Sequence, residues 1–200
     1  MNKVVAFSGI TLLVIAAGFF ICRWFTPNRN FSKYDYLQQP QICSMKSQKM
    51  IEIRQVGDPN RNAGKVFRPL YSIFYHLRNN HIKAAAPRAR WPLALDVPKN
   101  NWVGIYGLPV SESVKELPKQ HNKISLKTCQ YGTVAEILHI GPYSTEMRTI
   151  ERLKNFIANN GYEIIGDHEE EYLKGPGFWP TNPKGYYTII RYRVHRKGTK

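Results

Sequence analysis

Within residues 161–176, the five positions 167–171 alone hold four of the chain's 14 acidic residues, Asp167, Glu169, Glu170 and Glu171, in a protein of formal net charge +15. If residues 168–173 form a strand, its two-residue period puts His168, Glu170 and Tyr172 on one face. Glu169, Glu171 and Leu173 then share the other. A solvated edge strand would carry the same charges with no further role. A carboxylate beside a tyrosine on a concave sheet face would instead hold a cation or a polar ligand. Aromatic walls would add cation–π attraction. Trp91, Trp102, Tyr106, Tyr143, Phe178 and Trp179 are candidate walls. Trp102, Gly104 and Tyr106 would share one strand face, with Gly104 leaving room for a ligand. Taken singly, each aromatic also fits ordinary core packing.

Other chemistries find less support. Glu170 with Tyr172 or His139 would activate water only if the glutamate held a raised pKa. The chain has no Gly-x-Ser-x-Gly, no catalytic Cys/His signature and no His-Glu-x-x-His. Binding is therefore expected ahead of catalysis, and no catalytic residue is assigned. His76, His81 and His139 are the ligands a haem would need, though each reads more simply as solvated or structural. Cys22, Cys43 and Cys129 include no Cys-x-x-Cys pair, so no zinc site is expected, and no metal or cofactor is assigned. Cys43 and Cys129 either pair in an oxidising compartment or stay as unrelated thiols. The basic excess is spread thinly, with no run of five Lys or Arg. No helix-turn-helix, zinc-finger or RNP-type pattern occurs, which argues against a nucleic-acid partner.

An internal repeat positions the candidate residues. Ile51-Glu-Ile-Arg-Gln-Val-Gly57 aligns with Ala135-Glu-Ile-Leu-His-Ile-Gly141, each a strand ending at a glycine turn. A helix pattern follows each. Over about 66–79 the apolar stripe is Val66, Phe67, Leu70, Ile73, Phe74 and Leu77. Over about 145–159 it is Met147, Ile150, Leu153, Phe156 and Ile157. Ser144 is the expected N-cap of the second helix, with Glu146 in its first turn and Gly161 just past its end. Pro69 suggests a shorter first helix beginning near Phe67. Leu77-Arg-Asn-Asn-His-Ile82 then matches Ile157-Ala-Asn-Asn-Gly-Tyr162, and Trp102–Val110 matches Tyr186–Val194. Pro87 and Pro92 interrupt 84–96, so a strand there is expected to be irregular or at an edge. The expected fold class is α+β. Two β-α-β-β repeats, about 49–112 and about 131–196, form one antiparallel sheet with both helices on one face and a groove on the other.

Ahead of this domain, taken as 48–200, Val4 to Cys22 is a run of 19 uncharged residues. As a helix it would span about 28 Å, close to the ~30 Å of a bilayer's hydrocarbon core. Trp24 and Phe25 follow at the expected interface position. Residues 1–25 are expected to be an uncleaved transmembrane anchor, giving a single-pass membrane location, with a cleaved signal peptide as the competitor. Residues 26–47, rich in Pro, Asn, Gln and Ser, read as a linker.

The duplicated plan, with His139-Ile-Gly-Pro-Tyr-Ser144 before the second helix and Glu170-Glu-Tyr-Leu-Lys-Gly-Pro176 after it, resembles the GyrI-like small-molecule-binding family. That family also supplies the effector-binding domains of drug-responsive bacterial regulators. The resemblance covers about 49–195 and implies an aromatic-lined groove between the repeats, with a glutamate that meets cationic or polar ligands. By its place before Tyr172, that glutamate is Glu170. Here the N-terminal run stands where regulators carry a DNA-binding segment, and Gln55-Val-Gly-Asp-Pro59 lacks the Pro-Tyr of the second repeat. The expected function is a membrane-tethered domain that senses or sequesters a small amphiphilic or cationic ligand. Expected ligand contacts are Glu170, Tyr172, Trp102, Tyr106, Trp91, Tyr143 and Trp179. The alternatives are a protein-interaction module at a membrane, a hydrolase using Glu170, and a haem-binding protein.

Overall fold

The computed structural model of the chain describes residues 30–198, apart from 84, 93–97, 119–122 and 177–181. Internal contacts divide the chain into Met1–Lys33 and Tyr34–Lys200, and the second unit contains the sheet and both helices. The strands are β1 (Gln41–Met45), β2 (Gln48–Val56), β3 (Arg88–Trp91), β4 (Val103–Pro109), β5 (Ile124–Cys129), β6 (Gly132–Ile140), β7 (Tyr162–Ile164), β8 (His168–Lys174) and β9 (Tyr187–Arg196). The two helices are α1 (Pro59–His76) and α2 (Glu146–Asn159).

Both helices form on the expected apolar stripes, with different limits. α1 starts at Pro59, well before Phe67, because a prolyl ring fits the first helical position. The Asp58 carbonyl accepts from the Arg61 and Asn62 amides there. Pro69 therefore lies inside the helix. Val66, Leu70, Ile73 and Phe74 are buried. In α2 the buried stripe is Glu146, Ile150, Leu153 and Ile157. Met147, expected on it, is exposed. The cap is Thr145 rather than Ser144, without a side-chain cap bond, since Tyr143–Thr145 forms a 3-10 turn instead. Gly161 follows α2 at φ +75, a left-handed value that a glycine adopts without a Cβ clash.

The sheet order is β1-β6-β9-β8-β3-β4-β2-β5, with β7 added beside β9, and every pairing is antiparallel. The two repeats, β2-α1-β3-β4 and β6-α2-β8-β9, meet where β3 pairs with β8. Residues 84–96 thus contribute a central strand. Pro87 and Pro92 flank β3 instead of interrupting it, so the four residues between them keep their amides for the ladder. β1 and β5 add a second joint. Gln41–Met45 pairs with Glu136–Gly132, and Gln48–Ile53 continues on Cys129–Ile124 in the same register. β1 comes from the stretch expected to be linker. The 3-10 segment Ser32–Gln38 before it buries Leu37.

One cross-strand row fixes the faces. Ile53, Tyr106, Ala89, Glu170, Ile190 and Ile137 are successive partners across β2, β4, β3, β8, β9 and β6, and directly opposed residues share a face. Ile53, Tyr106 and Ala89 pack in the core of α1. Ile190 and Ile137 pack in the core of α2. Both helices therefore cover one face, as expected, and Glu170 lies on that face between their cores.

The expected membrane location is corrected. Among the described residues no helix is long and apolar enough to cross a membrane. The 4–22 run that motivates that expectation lies outside the described residues.

Candidate functional site

Glu170 belongs to β8, whose Glu169, Glu170 and His168 are all buried. Burying a carboxylate costs several kcal/mol unless its oxygens are bonded. Both are. Tyr172 donates its hydroxyl to Oε2 at 2.6 Å. His168 Nε2 donates to Oε1 at 2.9 Å. His168 Nδ1 lies 2.8 Å from the Tyr192 hydroxyl, and their rings meet edge to face at 5.2 Å. The result is a chain Tyr192, His168, Glu170, Tyr172 across two adjacent strands, and among the described residues no arginine or lysine bonds Glu170.

Aromatic rings flank this chain on both sides. Toward α2, Tyr143 meets Tyr172 edge-on at 5.8 Å and Tyr186 at 5.4 Å. Toward α1, Trp91 meets Trp102 at 5.5 Å and Tyr106 at 5.7 Å, and Phe67 of α1 meets Tyr106 at 5.5 Å. Ala89 separates Tyr106 from Glu170 in the cross-strand row and brings only a methyl group to that position. Burial first, then Glu170 and Asp58, push the Tyr106 phenol up to about 12. Burial and the Glu170 carboxylate likewise raise Tyr172. These phenols stay neutral hydrogen-bond donors at physiological pH. The buried Trp91 Nε1 has no hydrogen-bond partner among the described residues.

Five of the six expected aromatic and tyrosyl contacts, Tyr172, Tyr143, Trp91, Trp102 and Tyr106, thus gather around Glu170. Trp179, like Phe178, lies outside the described residues. Two expectations are corrected. Gly104 leaves room for the protein's own ring: a Cβ there would lie 2.5 Å from the Tyr106 ring. The groove is expected on the helix-free face, yet Glu170 and its neighbours lie on the helix-bearing one.

The helix-free face is filled instead by ion pairs. Arg191 bonds Glu136 at 2.8 Å, Glu169 at 2.7 Å and Glu171 at 3.3 Å. Arg88 meets Glu171 at 3.0 Å and Arg90 meets Glu52 at 2.6 Å. Burial alone would lower the Arg191 pKa, but Glu171, Glu169 and Glu136 together raise it. Tyr131 donates to Glu169 at 2.9 Å. Cys129 lies between Arg90 and Glu52. Burial and Glu52 push its thiol up to about 12, which makes it a poor nucleophile. Cys43 and Cys129 are both free thiols.

Sequence reasoning misses Glu146 as part of the site. It is 6% exposed, and its Oε1 has no hydrogen-bond partner. Its signal is its place one turn before Ile150 on the apolar stripe of α2. Tyr192, which bonds His168 from behind, is missed as well; it falls two residues after Ile190 on the same strand face. Of the histidines weighed for haem, His76 and His81 are exposed. His139 is buried, with Nε2 donating to the Pro142 carbonyl at 3.2 Å and Nδ1 bonded to Thr149 at 2.9 Å. Burial lowers its pKa, in keeping with a neutral ring. Among the described residues no group of three His, Cys, Asp or Glu is placed to hold a metal ion. A hollow of about 530 Å³ is lined by Gln39, Pro40, Arg148, Glu151, Arg152 and Asn155. It lies on the solvent side of α2 and has no part in the Glu170 cluster.

Comparisons with known proteins agree with this architecture. A family model described as a GyrI-like small molecule binding domain matches residues 38–194. Among solved structures, the chain is similar to an uncharacterized conserved protein from Listeria innocua, with 18% identity and a TM-score of 0.68 over 87% of this chain and 96% of that one. It is also similar to a hydrolase from Listeria innocua, with 17% identity and a TM-score of 0.67 over 88% and 98% of the two chains. The EcmrR C-terminal domain matches with 15% identity and a TM-score of 0.64, over 79% of this chain and 98% of its own. At these identities the likeness is one of fold. No curated protein matches.

Proposed function

This chain belongs to the GyrI-like small molecule binding domain family, and we propose that it binds a small amphiphilic cation on the helix-bearing face of its sheet, either sequestering it or reporting its presence. The binding unit comprises both repeats, about residues 49–112 and 131–196. Glu170 supplies the counter-charge. Tyr172 and Tyr143 form one wall, and Trp91, Trp102 and Tyr106 form the other.

One observation carries this reading. Glu170 is a buried carboxylate at the joint of the two repeats, framed by aromatic rings, and its bonded partners are a tyrosine and a histidine. The buried Arg88 and Arg191 and the half-buried Arg90 bond carboxylates of the opposite face. A cation among the rings gains the Coulomb attraction of Glu170 and the negative ring faces together. A neutral analogue gains only the burial of apolar area.

The test is titration of Trp91 and Trp102 fluorescence with benzyl- and alkyltrimethylammonium ions and their neutral carbon isosteres. Saturable quenching by the cations is expected. Glu170→Gln should weaken cation binding roughly tenfold or more, the equivalent of about 1.4 kcal/mol, and leave the isosteres unaffected. Equal cation affinity in wild type and variant would remove Glu170 from the site.

A further inference from the structure

Resting on that reading of the site, we propose that Glu146 is its second charge anchor, so that the ligand class this chain selects is a dication with an apolar body, such as an alkyl diamine or a bis-trimethylammonium alkane. Glu146 opens α2 on the stripe that faces the sheet, with Ile150, Leu153 and Ile157. It is buried, forms no ion pair among the described residues, and leaves Oε1 without a hydrogen-bond partner. Thr188 is a hydrogen-bonding neighbour of the carboxyl group, yet Oε1 itself stays unbonded, which costs stability. Two tyrosines lie within the field of both carboxylates: Tyr143, in the turn before α2, and Tyr172 of β8. Beyond them, Tyr192 of β9 and His139 of β6 lie within the field of Glu170. Among the described residues, the leading contributions to those fields include no arginine or lysine.

Two neighbouring carboxyl groups in such surroundings do not both ionise. Burial and Glu170 push Glu146 up to about 9, with Thr188 opposing the shift. In the ligand-free site at neutral pH, Glu146 is therefore the carboxyl group that holds a proton. A monocation satisfies Glu170 alone. A dication also ionises Glu146: the O–H bond breaks, the proton passes to bulk solvent, and the carboxylate faces the second positive charge. No other reactant is needed.

Calorimetry at pH 7 in buffers of different ionisation enthalpy tests this with hexamethonium and with hexyltrimethylammonium. The dication is expected to bind roughly tenfold tighter and to release about one proton per ligand, with less than half a proton released by the monocation. Glu146→Gln should abolish the proton release and bring the dication to the monocation's affinity. The exposed Glu151→Gln, on the opposite side of α2, should change neither. Glutamine is isosteric, so far-ultraviolet circular dichroism should show the variant folded. Monocation binding that depends on Glu170, without dication preference or proton release, would overturn the role of Glu146 and leave the cation site standing. Loss of all binding in the wild-type protein would overturn both.

Discussion

Glu146 has a consequence for the unliganded protein as well. Its folded pKa, about 9, lies above the ~4.3 of a glutamate in an unfolded chain. Between those values the native state holds one more proton than the unfolded state, so stability falls as pH rises. Below about 4.3 both states are protonated and the effect vanishes; above about 9 the full penalty is present. The slope from this group is at most about 1.4 kcal/mol per pH unit. Urea unfolding of wild type and Glu146→Gln across pH 5 to 9 should show the wild type losing stability relative to the variant. Parallel profiles would mean that Glu146 is ionised in the fold. At this scale Glu170 and Tyr172 are legible because the two-residue strand period puts them on one face whatever surrounds them. Glu146 is not, because a glutamate in a helix's first turn has an ordinary explanation as a dipole partner. Only its burial beside another carboxylate distinguishes it.

The joint between β3 and β8 is where elements meet by charge. Opposed pairs Arg88 with Glu171 and Arg90 with Glu169 set its register. A slip of one residue would place arginine against the aromatic face. Arg191 of β9 ties the second repeat's carboxylates together. Removing one member of a buried network leaves the others uncompensated, which is strongly destabilising. Arg191→Met, which keeps the apolar volume, should cost about 3–5 kcal/mol in urea unfolding. A loss below about 1 kcal/mol would show that the face tolerates unpaired carboxylates. The helices are legible as elements because a 3.6-residue stripe needs no partner to be recognised. β3 is not, since four residues between prolines carry too little pattern. The sheet neighbours on both sides make it a central strand. β1 and β5 escape notice for a related reason: they lie outside the repeat, and their strand character comes from pairing with the other half's long strand.

Across the whole molecule, the two repeats share one sheet and are joined twice, at β3–β8 and through β1 and β5. Neither half can expose its side of the joint without leaving buried charges unpaired, so cooperative unfolding is expected. With Trp24 and Trp179 replaced by phenylalanine, Trp91 and Trp102 report on the first repeat alone, and far-ultraviolet circular dichroism reports on both helices. The two signals should trace coincident urea transitions. A fluorescence midpoint separated from the ellipticity midpoint would show that the repeats unfold independently.

The duplicated strand-helix-strand-strand plan, the apolar stripes of α1 and α2, and the shared face of His168, Glu170 and Tyr172 come from sequence alone. These depend on backbone periodicity and on self-similarity within the chain. Tertiary structure decided which sheet face carries the site. Alternation assigns residues to two faces without saying which the helices cover, and both faces here contain buried charge. It also decided that Arg88, Arg90 and Arg191 spend their charge on the opposite face, and that Glu146 turns inward toward Glu170. Those outcomes depend on cross-strand register between residues far apart in the chain, which local pattern does not encode.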